Sequence, residues 1–429
     1  MKNEEFASYL FRGLGRTYLH LQQHDSSPYF EVLLHACLYN PVYDRQCEGS
    51  RATYLFGLIS LTNDQAAFEQ RILDKFAALN DDDDMDVEQL FDFALLYARS
   101  GNIQARRLLY EQFAANAGDG QDVGATQLID LDGIDGFRFV AARLGEAAGL
   151  DPDFWDTNYL LDHLRKRVPN ATIDADIAAL GAAHSSVQYY LDVVAQNVAS
   201  REQAAQQRQS MRSQSYAQIK IQLLPVGKQV PYLRLKRWGK SASPEDIEAA
   251  AHDLLKQDDP FQIAAYLAIF EQRIFPLGVQ PLLPFIRHSD DRVARWALDA
   301  LSLFHDAAVR DVGLELLHTD WHVSDALGLF NLNYQVGDEE LFLTLLDAAQ
   351  TDDEVHALGF GILNILTHTI VNRAFDLLCT LYKRLPCSLC RTKVVQHLAT
   401  MKALPNWMIQ ECQYDADEDT RSVCSALPY

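Results

Sequence analysis

The residues best suited to bind a ligand lie in a basic segment near the middle of the chain. Residues 201–240 hold nine lysines or arginines and a single acid, Glu202. Cationic side chains interleaved with aromatic rings can contact phosphates and stack on bases. In a chain of net charge -22, these cations can also neutralise acidic surfaces of the same protein, and we favour this nearer partner. The candidate binding residues of the segment are Tyr232, Arg234, Lys236, Arg237 and Trp238.

Two cysteines, Cys387 and Cys390, form a Cys-x-x-Cys motif at the expected start of a helix. A zinc site would need two more ligands, which His397, Cys379 or Cys412 could supply. A thioredoxin-like redox site would need a βαβ context, which the helical pattern does not provide. The seven cysteines are odd in number and irregularly spaced, which favours reduced and mostly buried thiols. We therefore expect no bound metal and no cofactor.

Acidic side chains cluster at Asp81–Asp84 and again at Asp130, Asp132 and Asp135. Neither cluster fits the calcium-loop pattern, because the first lacks its ligand spacing and Ile134 occupies the fifth position of the second. We expect a solvated loop in the first case and helix-capping carboxylates in the second.

Charged residues of opposite sign also alternate around Glu48, which lies three residues from both Arg45 and Arg51. Such spacing is typical of an ion network rather than of acid–base chemistry. The sequence contains no zinc-protease, dinucleotide-binding, P-loop or nucleophile-elbow motif. No catalytic residue is therefore assigned.

The elements that must position these residues are helices, and the C-terminal half repeats with a period of about 31 residues. Turn residues that open apolar helical stretches recur at intervals of 31, 30, 32, 34 and 31 residues. Thr351 and Glu354 have the spacing of a capping box, and Ser289 is the expected N-cap of its helix. The recurring turn residues are Asp259, Asp290, Asp320, Asp352, Pro386 and Asp417.

The segments Ser289–Val293 and His305–Arg310 resemble HEAT repeats, in which an Asp-x-x-Val-Arg-like corner opens the inner helix. The resemblance covers about Ser243–Tyr429, and the chain as a whole looks like uncharacterised bacterial HEAT-repeat proteins. It implies an all-α fold in which antiparallel helix pairs stack into a right-handed α-solenoid with a concave binding surface. For residues 1–211 we expect irregular helical hairpins, and for 212–243 a basic connector containing proline and glycine.

Composition limits the possible functions. Apolar residues make up 48% of the chain, enough for a continuous core, while a net charge of -22 argues against wholesale nucleic-acid binding. The longest apolar run, Ala357–Val371, is too short to span a membrane, and the first residues do not resemble a signal peptide. The expected location is the cytoplasm, without membrane contact.

Two functions follow as expectations. The first is a non-catalytic scaffold or adaptor that binds a protein partner, basic or extended, through the concave solenoid surface. The alternative is a helical-repeat enzyme acting on nucleic acid or a small ligand, because HEAT-like folds resemble those of some alkylpurine DNA glycosylases and some bilin lyases. Catalysis is the less expected of the two, since no catalytic motif is present.

Overall fold

A computed structural model gives the arrangement of most of the chain. In the residues that it describes, 25 α-helices and three short 3₁₀ helices form, with no strand, so the all-α prediction is confirmed. None of these helices has both the length and the apolarity that a bilayer span requires. Asp81–Asp83 and Asp320 of the sequence patterns lie outside the described residues. The described residues are 1–79, 84–117, 122–151, 153–211, 214–223, 231–319, 322–368 and 374–426.

Twelve helices come first along the chain. They are α1 (Asn3–Arg12), α2 (Arg16–Leu21), α3 (Phe30–Leu38), α4 (Ala52–Ile59), α5 (Gln65–Ala77), α6 (Asp84–Arg99), α7 (Ile103–Ala117), α8 (Ala125–Asp132), α9 (Ile134–Ala148), α10 (Tyr159–Arg167), α11 (Ile173–Ala183) and α12 (Ser185–Met211). A 3₁₀ turn at Ser27–Tyr29 precedes α3.

Thirteen helices follow, and they include two within the segment expected to be a connector. They are α13 (Tyr216–Leu223), α14 (Tyr232–Ser241), α15 (Pro244–Leu254), α16 (Pro260–Ala268), α17 (Asp291–Leu301), α18 (Ala307–His318), α19 (Val323–Leu327), α20 (Asp338–Ala348), α21 (Asp352–His368), α22 (Phe375–Arg384), α23 (Ser388–Thr400), α24 (Asn406–Cys412) and α25 (Glu418–Ser425). The remaining 3₁₀ turns are Leu283–Arg287 and Gly328–Phe330.

The helices group into two compact units. The first unit comprises Met1–Gln203 with Cys387–Leu389 and Leu404–Tyr429. The second comprises Ala204–Pro386 with Cys390–Ala403. This division differs from the three segments expected from the sequence, because the residues at 212–243 belong to the second unit and the last repeat belongs to the first.

The C-terminal helices join the first unit through specific contacts. The Arg16 Nε group donates a hydrogen bond of 2.9 Å to Glu411, and the two side chains form an ion pair. The backbone N–H of Ala416 donates to the carbonyl of Gly13 at 2.8 Å. Gly13 has φ +73°, and a Cβ there would lie 1.8 Å from Arg51. Only glycine therefore fits at this position, where the two segments approach each other. A sequence repeat alone cannot reveal such long-range contacts.

Helix α6 is the centre of the first unit, where it packs against α3, α4, α5, α7 and α8. The side chain of the fully buried Gln89 of α6 forms hydrogen bonds with backbone groups of neighbouring segments. Its Nε2 donates to the carbonyls of Ala36 and Cys37 at 2.9 and 3.1 Å, and its Oε1 accepts from the Arg51 N–H at 3.2 Å. Because buried polar groups must find partners, this glutamine fixes the end of α3 and the start of α4.

In the second unit, helices α14, α16, α17, α19 and α21 form a row in which each contacts the next. Aspartates start two of these helices as the sequence indicates: Asp259 accepts from the Gln262 N–H at 3.0 Å and Asp290 from the Arg292 N–H at 3.0 Å. The expectation that Ser289 caps α17 is wrong, because Asp290 takes that position. The row brings side chains from helices that are distant in the sequence next to one another.

The capping box at the start of α21 is confirmed and gives a first prediction. The Thr351 hydroxyl accepts from the Glu354 N–H at 3.2 Å, and Glu354 accepts from the Thr351 N–H at 3.0 Å. Thr351→Ala should lower the free energy of unfolding by about 1 kcal/mol in urea titrations, because one helix-start donor loses its acceptor. Thr344→Ala, at an exposed position inside α20, should change it by less than about 0.5 kcal/mol. Equal losses in both variants would contradict the capping role.

Candidate functional site

The candidate binding residues of the basic segment all lie on α14, but they face different surroundings. Trp238 is 1% exposed, and its indole N–H donates to the Gln214 carbonyl at 2.8 Å. Arg237 is exposed, whereas Arg234 is half-buried and donates to the Gln214 side chain at 3.0 Å. Trp238 therefore contributes to the core of the second unit, and its ring is not available at the surface.

The other two predicted residues meet partners from later in the chain. The Tyr232 ring stacks on Trp296 of α17, with ring centroids 5.7 Å apart and an interplanar angle of 23°. Lys236 forms an ion pair with Oε1 of Glu271, just after α16. Contacts of α16 with both α14 and α17 explain how these groups come together. The basic segment thus supplies one wall of a mixed aromatic and charged surface.

We refer to Tyr232, Lys236, Glu271, Trp296 and Asp299 as the aromatic–carboxylate cluster. Trp296 and Asp299 are three residues apart on α17, a spacing that places both side chains on one face of the helix. The side chains of Lys236 and Glu271 are 26% and 20% exposed, so the cluster is partly shielded from water. All five residues belong to the second unit.

The surroundings of Asp299 raise the pKa of its carboxyl group. The pKa of Asp299 is raised to about 6, mainly by burial and also by the nearby carboxylates Glu271 and Asp325, against the opposing charges of Lys236 and Arg295. Among the described residues its carboxyl group makes no hydrogen bond or ion pair. A half-buried carboxylate in this state can exchange a proton near neutral pH or attract a cation.

Oε2 of Glu271 is buried and also has no hydrogen-bond partner among the described residues. Buried polar atoms in folded proteins are normally hydrogen-bonded, so an unpaired buried acceptor can take a hydrogen bond from a ligand. Glu271 therefore offers a buried acceptor, and its charge acts on Asp299.

Charged side chains of α17 and α19 border the cluster. Arg295 Nε lies 3.5 Å from Asp325 and its Nη2 lies 3.3 Å from Asp291. The two ring nitrogens of His322 lie 2.9 Å from Asp291 and 3.0 Å from Asp325. His322 has φ +51°, a left-handed conformation that is rare for a residue with a side chain. Together with the cluster, this border holds more carboxylates than cations, so its surface potential favours positive ligands.

In the Cys-x-x-Cys motif, Cys390 contacts a histidine other than His397, the one considered from the sequence. Cys387 and Cys390 are 2% and 4% exposed, and within the second unit the Cys390 Sγ lies 3.5 Å from His356 Nε2. His397 follows Cys390 by seven residues on α23, which separates them by about 10 Å along the helix axis. Cys412 lies on α24, in the first unit. The pair Cys390 and His356 supplies two of the four ligands that structural zinc requires.

The acidic residues around α8 are paired with cations. Asp130 and Asp132 lie in the last turn of α8, where they bind Arg167 at 2.6 Å and Arg106 at 2.7 Å. The expectation of helix-capping carboxylates is therefore wrong for these two, because a helix C-terminus has no free N–H groups to satisfy. Asp135 does lie in the first turn of α9, where its charge favours the helix dipole.

Comparisons with known proteins add no functional information. No family model matches the sequence, and no curated protein matches it. The site is therefore interpreted from its residues alone. Sequence reasoning identified Tyr232 and Lys236 but missed Glu271, Trp296 and Asp299.

Proposed function

We propose that the protein is a binding protein, built from HEAT-like helix pairs, that holds a positively charged segment of a protein partner. The alternation of helices at about 31-residue intervals and the row of α14, α16, α17, α19 and α21 support a stacked-repeat arrangement. A net charge of -22 favours a basic partner and disfavours phosphate backbones. The stack is proposed to be a right-handed solenoid whose concave surface carries the aromatic–carboxylate cluster.

The observation that carries this proposal is the state of Asp299. Its pKa is raised to about 6, mainly by burial and also by Glu271 and Asp325, so the nearby cations Lys236 and Arg295 do not offset these effects. A cation bound beside Asp299 would relieve this repulsion and stabilise the charged carboxylate. Tyr232 and Trp296 add aromatic surface against which the cation or its aliphatic stem can pack.

The proposal predicts that a short peptide of alternating arginine and glycine binds the full-length protein, and that Asp299→Asn weakens this binding. The expected loss is about tenfold to a hundredfold in affinity, because a charge-assisted contact is removed. Isothermal titration calorimetry at low salt measures both affinities. Asp347→Asn is the matched control, since it removes one exposed negative charge from α20 of the same unit. Equal effects of the two substitutions, or absence of binding by the wild type, would contradict the proposal.

A second candidate function is catalysis on a flat, positively charged nucleic-acid base or small ligand. The observation in its favour is that Asp299, with a pKa near 6, could transfer a proton next to the rings of Tyr232 and Trp296. The net charge opposes binding of a nucleic-acid backbone. Titration with single-stranded and duplex DNA at low salt tests this candidate, and the absence of binding would remove its nucleic-acid form.

A further inference from the structure

The second unit already shows how this chain holds a guanidinium group. Arg292 donates from Nε and Nη2 to the two carboxylate oxygens of Asp290, at 3.0 and 2.6 Å. The same guanidinium lies over the ring of Phe261, with its central carbon 3.9 Å from the ring centroid. A carboxylate fork therefore holds the edge of the group while an aromatic ring covers its face.

A second arginine repeats this arrangement elsewhere in the unit. Arg310 donates from both Nη atoms to Asp338, at 2.8 and 2.7 Å, and its guanidinium lies 5.5 Å from the ring centroid of Phe330. The Arg310 and Asp338 side chains are only 14% and 6% exposed. The combination of bidentate carboxylate and aromatic face thus occurs even where much of the surrounding water is excluded.

The aromatic–carboxylate cluster contains the same parts in a third place. The stacked pair of Tyr232 and Trp296 provides the aromatic surface. Asp299 and the Oε2 atom of Glu271 provide acceptors that make no hydrogen bond within the described part of the chain. The cations closest to them have other contacts: Lys236 is paired with Oε1 of Glu271, and Arg295 lies between Asp291 and Asp325.

We propose that the aromatic–carboxylate cluster accepts an arginine side chain from an extended segment of the partner, in preference to lysine. This inference rests on the proposed function, since it identifies which cation the binding site selects. The arginine would lie with its planar face toward the ring pair and its N–H groups toward Asp299 and Glu271.

The preference for arginine follows from the chemistry of the two cations. A guanidinium presents five donors in a planar fork, so it can satisfy two carboxylates at once while stacking on a ring. A lysine ammonium is a compact charge that is more strongly hydrated, so moving it into a half-buried cluster costs more free energy. Because both acceptors are shielded from water, this difference should be larger here than at an exposed surface.

The test uses the wild-type, full-length protein and three short peptides in which glycine alternates with arginine, lysine or citrulline. Citrulline preserves the shape of arginine without its charge. Titration calorimetry should show that the arginine peptide binds about tenfold more tightly than the lysine peptide, and that the citrulline peptide does not bind measurably. Equal affinities for arginine and lysine would overturn the arginine preference and leave the proposed function intact. Failure of both cationic peptides to bind would overturn both.

A substitution locates the preference within the cluster. Trp296→Leu should bring the arginine and lysine affinities to within about threefold of each other, since the aromatic face contributes most to arginine over lysine. Trp407→Leu, at a partly exposed tryptophan of the first unit, should leave the preference unchanged. If Trp296→Leu loses its helical circular dichroism, Tyr232→Leu provides the same measurement from the other ring. An undiminished preference in a folded variant would contradict the assignment to this cluster.

Discussion

Replacing Glu48 with alanine should destabilise the first unit by about 3–5 kcal/mol, because the substitution removes one partner of a buried ion pair. The Glu48 and Arg51 side chains are 2% and 3% exposed, and their charged atoms lie 2.7 Å apart. Glu48 also accepts hydrogen bonds from the backbone N–H groups of Asp44 at 3.0 Å and Ser388 at 2.9 Å. Its loss would remove this partner from the buried guanidinium of Arg51. It would also remove the acceptor of two backbone N–H groups.

The matched control is Glu146→Ala. Glu146 pairs with Arg143 at 2.9 Å with the same three-residue spacing, but the side chains are 56% and 45% exposed. Exposed pairs contribute little, so this variant should lose less than about 1 kcal/mol. Urea unfolding followed by circular dichroism gives both values. Losses of similar size would contradict the conclusion that burial makes the Glu48 pair important.

In contrast to Glu48→Ala, Asp299→Asn should stabilise the protein. It should raise the free energy of unfolding at neutral pH by about 1–3 kcal/mol. The folded-state pKa of Asp299 is about 6, above its ordinary value of 3.8. Between these values Asp299 binds more protons in the folded protein than in the unfolded chain, so its contribution to stability falls as pH rises through this window. Asparagine does not titrate, and the gain should therefore be present above about pH 6 and disappear below about pH 4.

The measurement is urea unfolding of the wild type, Asp299→Asn and the control Asp347→Asn at neutral and mildly acidic pH. Asp347 is exposed on α20, and its substitution should have little effect at either pH. A stabilised variant that no longer binds the arginine peptide would show that Asp299 is retained at the expense of stability, as is common at functional sites. Destabilisation by Asp299→Asn at neutral pH would contradict the electrostatic interpretation of the cluster.

Local signals in the sequence predicted some helix boundaries but not others. The capping residues Asp259 and Thr351 mark their helix starts correctly, since a cap depends on neighbouring residues alone. Gly13 was not recognised as a helix end, although its left-handed backbone separates α1 from α2.

The candidate site was predicted only in part. Tyr232 and Lys236 were identified from the basic segment, because local charge and aromatic content can be read directly from a sequence. Glu271, Trp296 and Asp299 lie on other elements, and only the packing of α14, α16 and α17 brings them together. A partial signal was present in the charge pattern, because a basic helix in an acidic chain is expected to pack against helices that carry acids.

The most direct test of cation binding at Asp299 is a calorimetric measurement of protons released when the arginine peptide binds at pH 6. Titrations in two buffers with different ionisation enthalpies give the number of protons released per peptide. Asp299 is about half protonated at this pH, and a bound cation lowers its pKa. Binding at this cluster therefore predicts the release of about half a proton from the wild type and none from Asp299→Asn. Tight binding of the peptide to the wild type without proton release would contradict cation binding at Asp299.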